Sequence, residues 1–90
     1  MKLMKYTIFS TPTCHYCHLL KNWLTENNIP YEVRDVATDL EARKLMVSKS
    51  QQMGVPVSLI EVVDDTGKTV EHVVVGFAQM QIGKLIGLDL

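Results

Sequence analysis

Two cysteines, three prolines and one tryptophan are all that 90 residues hold of those types, and neither charge sign dominates, the net charge being −1. Two cysteines cannot build the dense framework of a small disulfide-stapled secreted domain. Near-neutral charge leaves no phosphate-binding face, which excludes nucleic acid as the main partner. No apolar run approaches the ~18 residues that would cross a bilayer, so no membrane is expected. Met1-Lys2-Leu3-Met4-Lys5-Tyr6 has a lysine inside its short apolar stretch and no small-residue cleavage site. It is expected to lead into a strand and not to act as a secretory signal, which makes a reducing cytoplasm the expected compartment. Apolar material, by contrast, is plentiful: 47% hydrophobic against 21% charged residues supports a packed core and excludes a disordered tail. At this length one domain, residues 1–90, is expected.

Periodicity divides the chain into seven elements. Leu3 to Phe9 is apolar, aromatic and β-branched, bounded by Ser10-Thr11-Pro12-Thr13, and reads as a strand. From His15 the period changes. Tyr16, Leu19, Leu20, Trp23 and Leu24 share one helical stripe, and Asn27-Asn28 and Pro30 end that helix. Tyr31 to Val36 alternates as a second strand, and its short connection predicts a parallel, right-handed βαβ unit. Thr38 and Glu41 have capping-box spacing and predict a helix to about Ser50, with Ala42, Leu45, Met46 and the Lys49 stem turned inward. Ser58 to Val63 and Lys68 to Val75 form a hairpin around Asp64-Asp65-Thr66-Gly67, whose acidic tip and His72 are expected to face solvent. Ile82, Leu85 and Ile86 mark a short last helix, weakened by Gly83 and Gly87. The order β-α-β-α-β-β-α predicts an α/β fold, with one four-stranded mixed sheet flanked by helices, its first strands parallel and an antiparallel hairpin at its edge.

Cys14-His15-Tyr16-Cys17 sits where the first strand hands over to the first helix. A disulfide closing so short a ring constrains the unfolded chain by only about 2 kcal/mol, so the pair is placed for chemistry and not for scaffolding. Cys14 falls at the helix N-terminus, where unpaired N–H groups and the helix dipole favour a thiolate. Cys17, one turn on, is within reach but more buried. That asymmetry assigns attack on a disulfide to Cys14 and resolution of the mixed disulfide to Cys17. Pro56 suits a strand end, and a cis bond to Val55 would expose the Val55 backbone to an extended partner.

Other readings use the same residues. Cys14 to His18 also satisfies the C-x-x-C-H pattern of c-type haem attachment, but its place between a strand and an amphipathic helix argues against that. His15, His18 and His72 with two thiolates lack the second C-x-x-C of a closed zinc site, so no metal site is expected. An iron–sulfur cluster bridged between two chains through Cys14 is the alternative to dithiol chemistry. Asp35 is expected to cap the turn after its strand, the other reading being a buried acid that moves a proton to Cys17.

Ile8 to Cys17, Gly54-Val55-Pro56-Val57 and Val75-Gly76-Phe77 together resemble the glutaredoxin family of the thioredoxin fold over nearly the whole chain. The resemblance implies a nucleophilic Cys14, a resolving Cys17, and Pro56 as the family's cis-proline beside the sulfurs. It places Thr13, His15, Tyr16, Val55, Pro56, Gly76 and Phe77 in a substrate-binding rim. A monomeric thiol–disulfide oxidoreductase follows, with the Cys14–Cys17 pair as its redox group and no further cofactor. Protein disulfides are the implied substrates, and glutathione or thioredoxin reductase the implied electron donor. The departures narrow this. Thr11 stands where glutathione-using members commonly carry a lysine, and Gly76-Phe77-Ala78-Gln79 replaces their Gly-Gly pair and acid. The chain is more similar to NrdH-type redoxins and small glutaredoxin-like proteins, some of which take electrons from thioredoxin reductase. His15 replaces the usual proline, and a protonated imidazole there would stabilise a neighbouring thiolate. The Ser58–Val75 hairpin is longer than is typical of the family.

Overall fold

A strand that alternates apolar residues on both faces needs cover on both, and the chain supplies it by wrapping three helices around one sheet. A computed structural model describes residues 2–87, so Met1, read above as leading into the first strand, lies outside the described residues. The elements are β1 (Lys2–Ser10), α1 (His15–Glu26), β2 (Glu32–Asp35), α2 (Leu40–Ser50), β3 (Val57–Val63), β4 (Thr69–Val75) and α3 (Gln79–Ile86). The strand order is β2-β1-β3-β4; β1 pairs parallel with β2, and the other two pairings are antiparallel. The expected element order and mixed sheet are both observed.

Successive strand residues point to opposite faces, and each face has its own core. Tyr6 and Ile8 of β1 and Ile60 and Val62 of β3 pack with Leu20 and Leu24 of α1 and Ile82 of α3. Phe9 and Val57 point the other way and pack with Ala42 and Met46 of α2. Near its start β1 slips register between Leu3 and Lys5. The unpaired Met4 reverses the alternation, which lets Leu3 join Tyr6 against the larger core.

Four local expectations are corrected. Thr38 and Glu41 do not make the capping box; Asp39 is the N-cap of α2, its side chain accepting the Ala42 N–H at 3.1 Å. The reason lies one turn earlier. The Asp35 carboxylate accepts the Ala37 N–H at 2.9 Å, and the Asp35 carbonyl accepts those of Thr38 and Asp39 at 3.4 and 2.9 Å. Thr38 is therefore inside a turn that Asp35 organises, and Asp39 is the first residue with the extended backbone a cap requires. Asp35 thus caps its turn, as its place at a strand end predicts. Tyr16, read as part of the inward stripe, is 60% exposed; Cys17, Leu20 and Leu24 take the buried positions. Lys49 turns toward the sheet but is exposed, so its stem is not part of a buried face. Its ammonium sits 2.8 Å from Glu71 of β4. His72 is half-buried opposite Ile60 and does not face solvent freely. Among the described residues no helix is long and apolar enough to cross a membrane.

Candidate active site

The site forms where β1 ends and α1 begins. Cys14 is the N-cap of α1, with extended backbone, and its sulfur accepts the Cys17 N–H at 3.1 Å. That bond fills one of the unpaired donors at the helix start and aims a partial positive charge at the sulfur. The loop ahead of it is tied down twice. The Cys14 N–H donates to the Thr11 carbonyl at 3.3 Å, and His18 Nε2 donates to the Pro12 carbonyl at 3.0 Å. The His18 ring nitrogen that a haem iron would use is thus engaged by a backbone carbonyl instead.

Both cysteines are free thiols, and they differ in access. Cys14 is half-buried, whereas Cys17 has no exposed surface. Burial pushes the Cys17 thiol up to about 12, and a hydrogen bond to the Cys14 side chain and the charge of Cys14 push the same way; the Thr11 backbone and the Lys21 ammonium oppose them. Sequence reasoning singles out neither Thr11 nor Lys21 for this role. Lys21 lies one turn beyond Cys17 on α1, a spacing that places it near the sulfur once the helix register is known.

The far wall is the turn into β3. The Val55–Pro56 peptide is cis, and the Val55 carbonyl oxygen lies 3.8 Å from Cys14 Sγ. The Pro56 carbonyl accepts the Gly76 N–H at 2.9 Å, which draws the end of β4 alongside; Gly76 turns away at φ +91°, a backbone region that favours glycine. Of the expected rim, Val55 is thus brought to Cys14, with Pro56 next to it in the chain and Gly76 bonded to Pro56. Thr13 and His15 are exposed beside Cys14, and Tyr16 is exposed with its ring edge-on to His15 at 5.7 Å. Phe77 packs instead against the larger core. Ala78, where glutathione-using relatives are expected to carry polar anchors, caps α3 with no side-chain hydrogen bond.

Among the described residues no group of three or more His, Cys, Asp or Glu side chains comes together to hold a metal. A cluster held by one chain needs four thiolates. This chain presents one reachable sulfur, so it does not fit such a cluster alone.

A mixed four-stranded sheet, three flanking helices and a Cys14–Cys17 pair at a helix mouth define a thioredoxin-like fold whose cysteines point to redox chemistry. Residues 6–62 match the Glutaredoxin family model, and the chain belongs to the glutaredoxin family. It is 39% identical over 79 residues, 88% of this chain and 93% of the relative, to an uncharacterized glutaredoxin-like 8.6 kDa protein in the rubredoxin operon of Clostridium pasteurianum. Among solved structures it is similar to a thioredoxin-like protein at 28% identity and TM-score 0.72, covering 90% of this chain and 99% of that one. It is also similar to the glutaredoxin of Archaeoglobus fulgidus, at 21% identity and TM-score 0.69, covering 91% and 85%.

Proposed function

We propose that the protein is a monomeric thiol–disulfide oxidoreductase that reduces protein disulfides by dithiol exchange in a reducing cytoplasm. The observation that carries this is the division of labour between the two sulfurs. One is reachable and accepts a helix N–H, and the other is sealed one turn behind it.

In the first step the Cys14 thiolate attacks one sulfur of a substrate disulfide. A bond forms between Cys14 Sγ and that sulfur, and the second substrate sulfur leaves as a thiolate that takes up a proton. In the second step the Cys17 thiolate attacks Cys14 Sγ and expels the remaining substrate thiolate. The protein dithiol is then a disulfide, two electrons have moved, and the substrate carries two thiols. Burial holds Cys17 protonated in the resting dithiol, helped by the hydrogen bond and charge of Cys14. Once Cys14 is part of a mixed disulfide those two influences vanish, while Lys21 and the Thr11 backbone still favour ionisation. Cys17 becomes easier to ionise at the step that needs its thiolate.

Substrates dock as an extended segment beside Val55 and Pro56, with Thr13, His15, Tyr16 and Gly76 around them and Phe77 behind. A protein reductase is the electron donor favoured by Thr11 and by the Gly76-Phe77-Ala78-Gln79 segment, which offer glutathione no lysine and no acid.

Replacing Cys14 by Ser abolishes reduction of insulin disulfides, and replacing Cys17 by Ser accumulates a covalent mixed disulfide seen by mass spectrometry. Full activity of Cys14→Ser refutes the nucleophile assignment. Turnover with thioredoxin reductase and NADPH exceeds turnover with glutathione and glutathione reductase; the reverse overturns the donor. A visible cluster absorption band after air-free purification would instead make Cys14 a ligand.

A further inference from the structure

The backbone against which Cys14 works is itself held by one side chain. The Gln52 amide grips both polar groups of Gly54. Its Oε1 accepts the Gly54 N–H at 2.6 Å, and its Nε2 donates to the Gly54 carbonyl at 2.9 Å. Nε2 also reaches Ser50 Oγ at 3.1 Å, and that hydroxyl donates to the carbonyl of the buried Met46 at 2.7 Å. A continuous path thus runs from the core of α2 through Ser50 and Gln52 to Gly54, the residue before the cis Val55–Pro56 bond. Gly54 leaves room for this grip: a Cβ there would lie 2.8 Å from Gln52 Oε1 and would push the amide aside. Its φ is not in the left-handed region, so a side chain there would act on the Gln52 amide and not on the backbone conformation.

We infer that Gln52 is a positioning residue, which holds the Gly54–Val55 backbone in the conformation that receives the substrate. The inference rests on the dithiol-exchange reading and deepens it. An unanchored loop has to be ordered each time a substrate docks, whereas one already gripped by an amide does not, and the saving appears in binding. Gln52 touches neither sulfur. It acts only through Gly54 and Val55, and the Val55 carbonyl meets Cys14 Sγ only at 3.8 Å, so a reagent that needs no docking is affected far less than a protein disulfide.

Steady-state reduction of insulin, with dithiothreitol as reductant, separates these effects. In Gln52→Ala the KM for insulin rises about fivefold to tenfold while kcat holds. Alkylation of Cys14 by iodoacetamide stays close to the wild-type rate, its change well below that of KM. Gln52→Glu keeps the shape but turns an oxygen toward the Gly54 carbonyl, and it raises KM in the same way. Gly54→Ala alone also raises KM, because its methyl group displaces the amide; in the Gln52→Ala background it adds nothing further. A wild-type KM in both Gln52 variants overturns the inference, as does full additivity of the Gly54 and Gln52 changes. Slower insulin reduction together with alkylation of the buried Cys17 also overturns it, because that marks a general loss of folded protein. A wild-type protein inert toward insulin refutes the dithiol-exchange reading itself, and the inference with it.

Discussion

Tyr6 and Ser58 are both sealed inside the larger core, and each answers the other's hydrogen-bonding need across β1 and β3, hydroxyl to hydroxyl at 2.6 Å. Tyr6→Phe removes one partner and leaves the Ser58 hydroxyl buried and unpaired, at a cost of about 1–3 kcal/mol. Adding Ser58→Ala to that variant removes the orphan, so the double variant recovers much of the loss in urea unfolding. A double variant as unstable as the sum of the two singles refutes the coupling. The same tyrosine and Cys17 are expected to weaken the fold in alkali. Burial raises Tyr6 from 10.0 to about 12 and Cys17 from 9.0 to about 12. A raised group stabilises the fold fully below its unfolded value, and that stability is lost as pH rises through the folded value. The urea midpoint of the reduced protein is therefore expected to fall from about pH 9 upward. In Tyr6→Phe and in Cys17→Ser the decline is shallower. Parallel curves in all three proteins remove these two groups as its cause. Of the residues that shape the site, the cysteines and Pro56 were legible because their spacing is unusual. Gln52 and Lys21 were not, since a polar side chain looks the same in a sequence whether it is solvated or gripping a backbone.

The elements were legible where a period is sustained and obscured where one residue breaks it. Seven runs of helical or alternating pattern account for the strand and helix order, but Met4 is an inserted residue that no alternation announces. On α1 the apolar stripe admits Tyr16 by spacing, yet the helix turns Cys17, Leu20 and Leu24 inward and leaves Tyr16 at its first turn exposed. On α2, Thr38 and Asp39 both suit a cap, and only the turn made by Asp35 decides between them. Asp39→Ala is thus expected to lower the Tm by a few degrees and Thr38→Ala to leave it nearly unchanged. The Ala42 N–H, helped by Arg34, holds the Asp39 carboxyl below its ordinary range. Such a depressed group stabilises the fold above its unfolded value, and the effect is lost as pH falls through the folded value. The Tm gap between Asp39→Ala and wild type therefore narrows in acid. A larger loss from Thr38→Ala would restore the cap to the residue that spacing alone suggests.

At the scale of the whole molecule, the two cores share the strands between them. Ile8 belongs to one and its neighbour Phe9 to the other; Val57 serves the smaller core, whereas Ile60 and Val62 of the same strand serve the larger. A loosened helix on one face therefore disturbs strands that the opposite face also needs. Met46, 1% exposed on α2, is the place to test this. Met46→Ala is expected to cost about 2–5 kcal/mol, a large share of the stability of a domain this size. Trp23 packs against the other core and reports on it by fluorescence, while far-UV circular dichroism reports on all three helices. Shared strands make the two urea transitions of Met46→Ala shift together. The active site gives a third probe, because it too is assembled across the sheet. Cys14 is carried by α1 over the larger core, and the Val55–Pro56 turn follows α2 over the smaller one. Loss of insulin reduction with urea is expected to track the same transition. A Trp23 midpoint left at its wild-type value while the dichroism moves would show the two faces to be independent, and the site would then fail before the fold does.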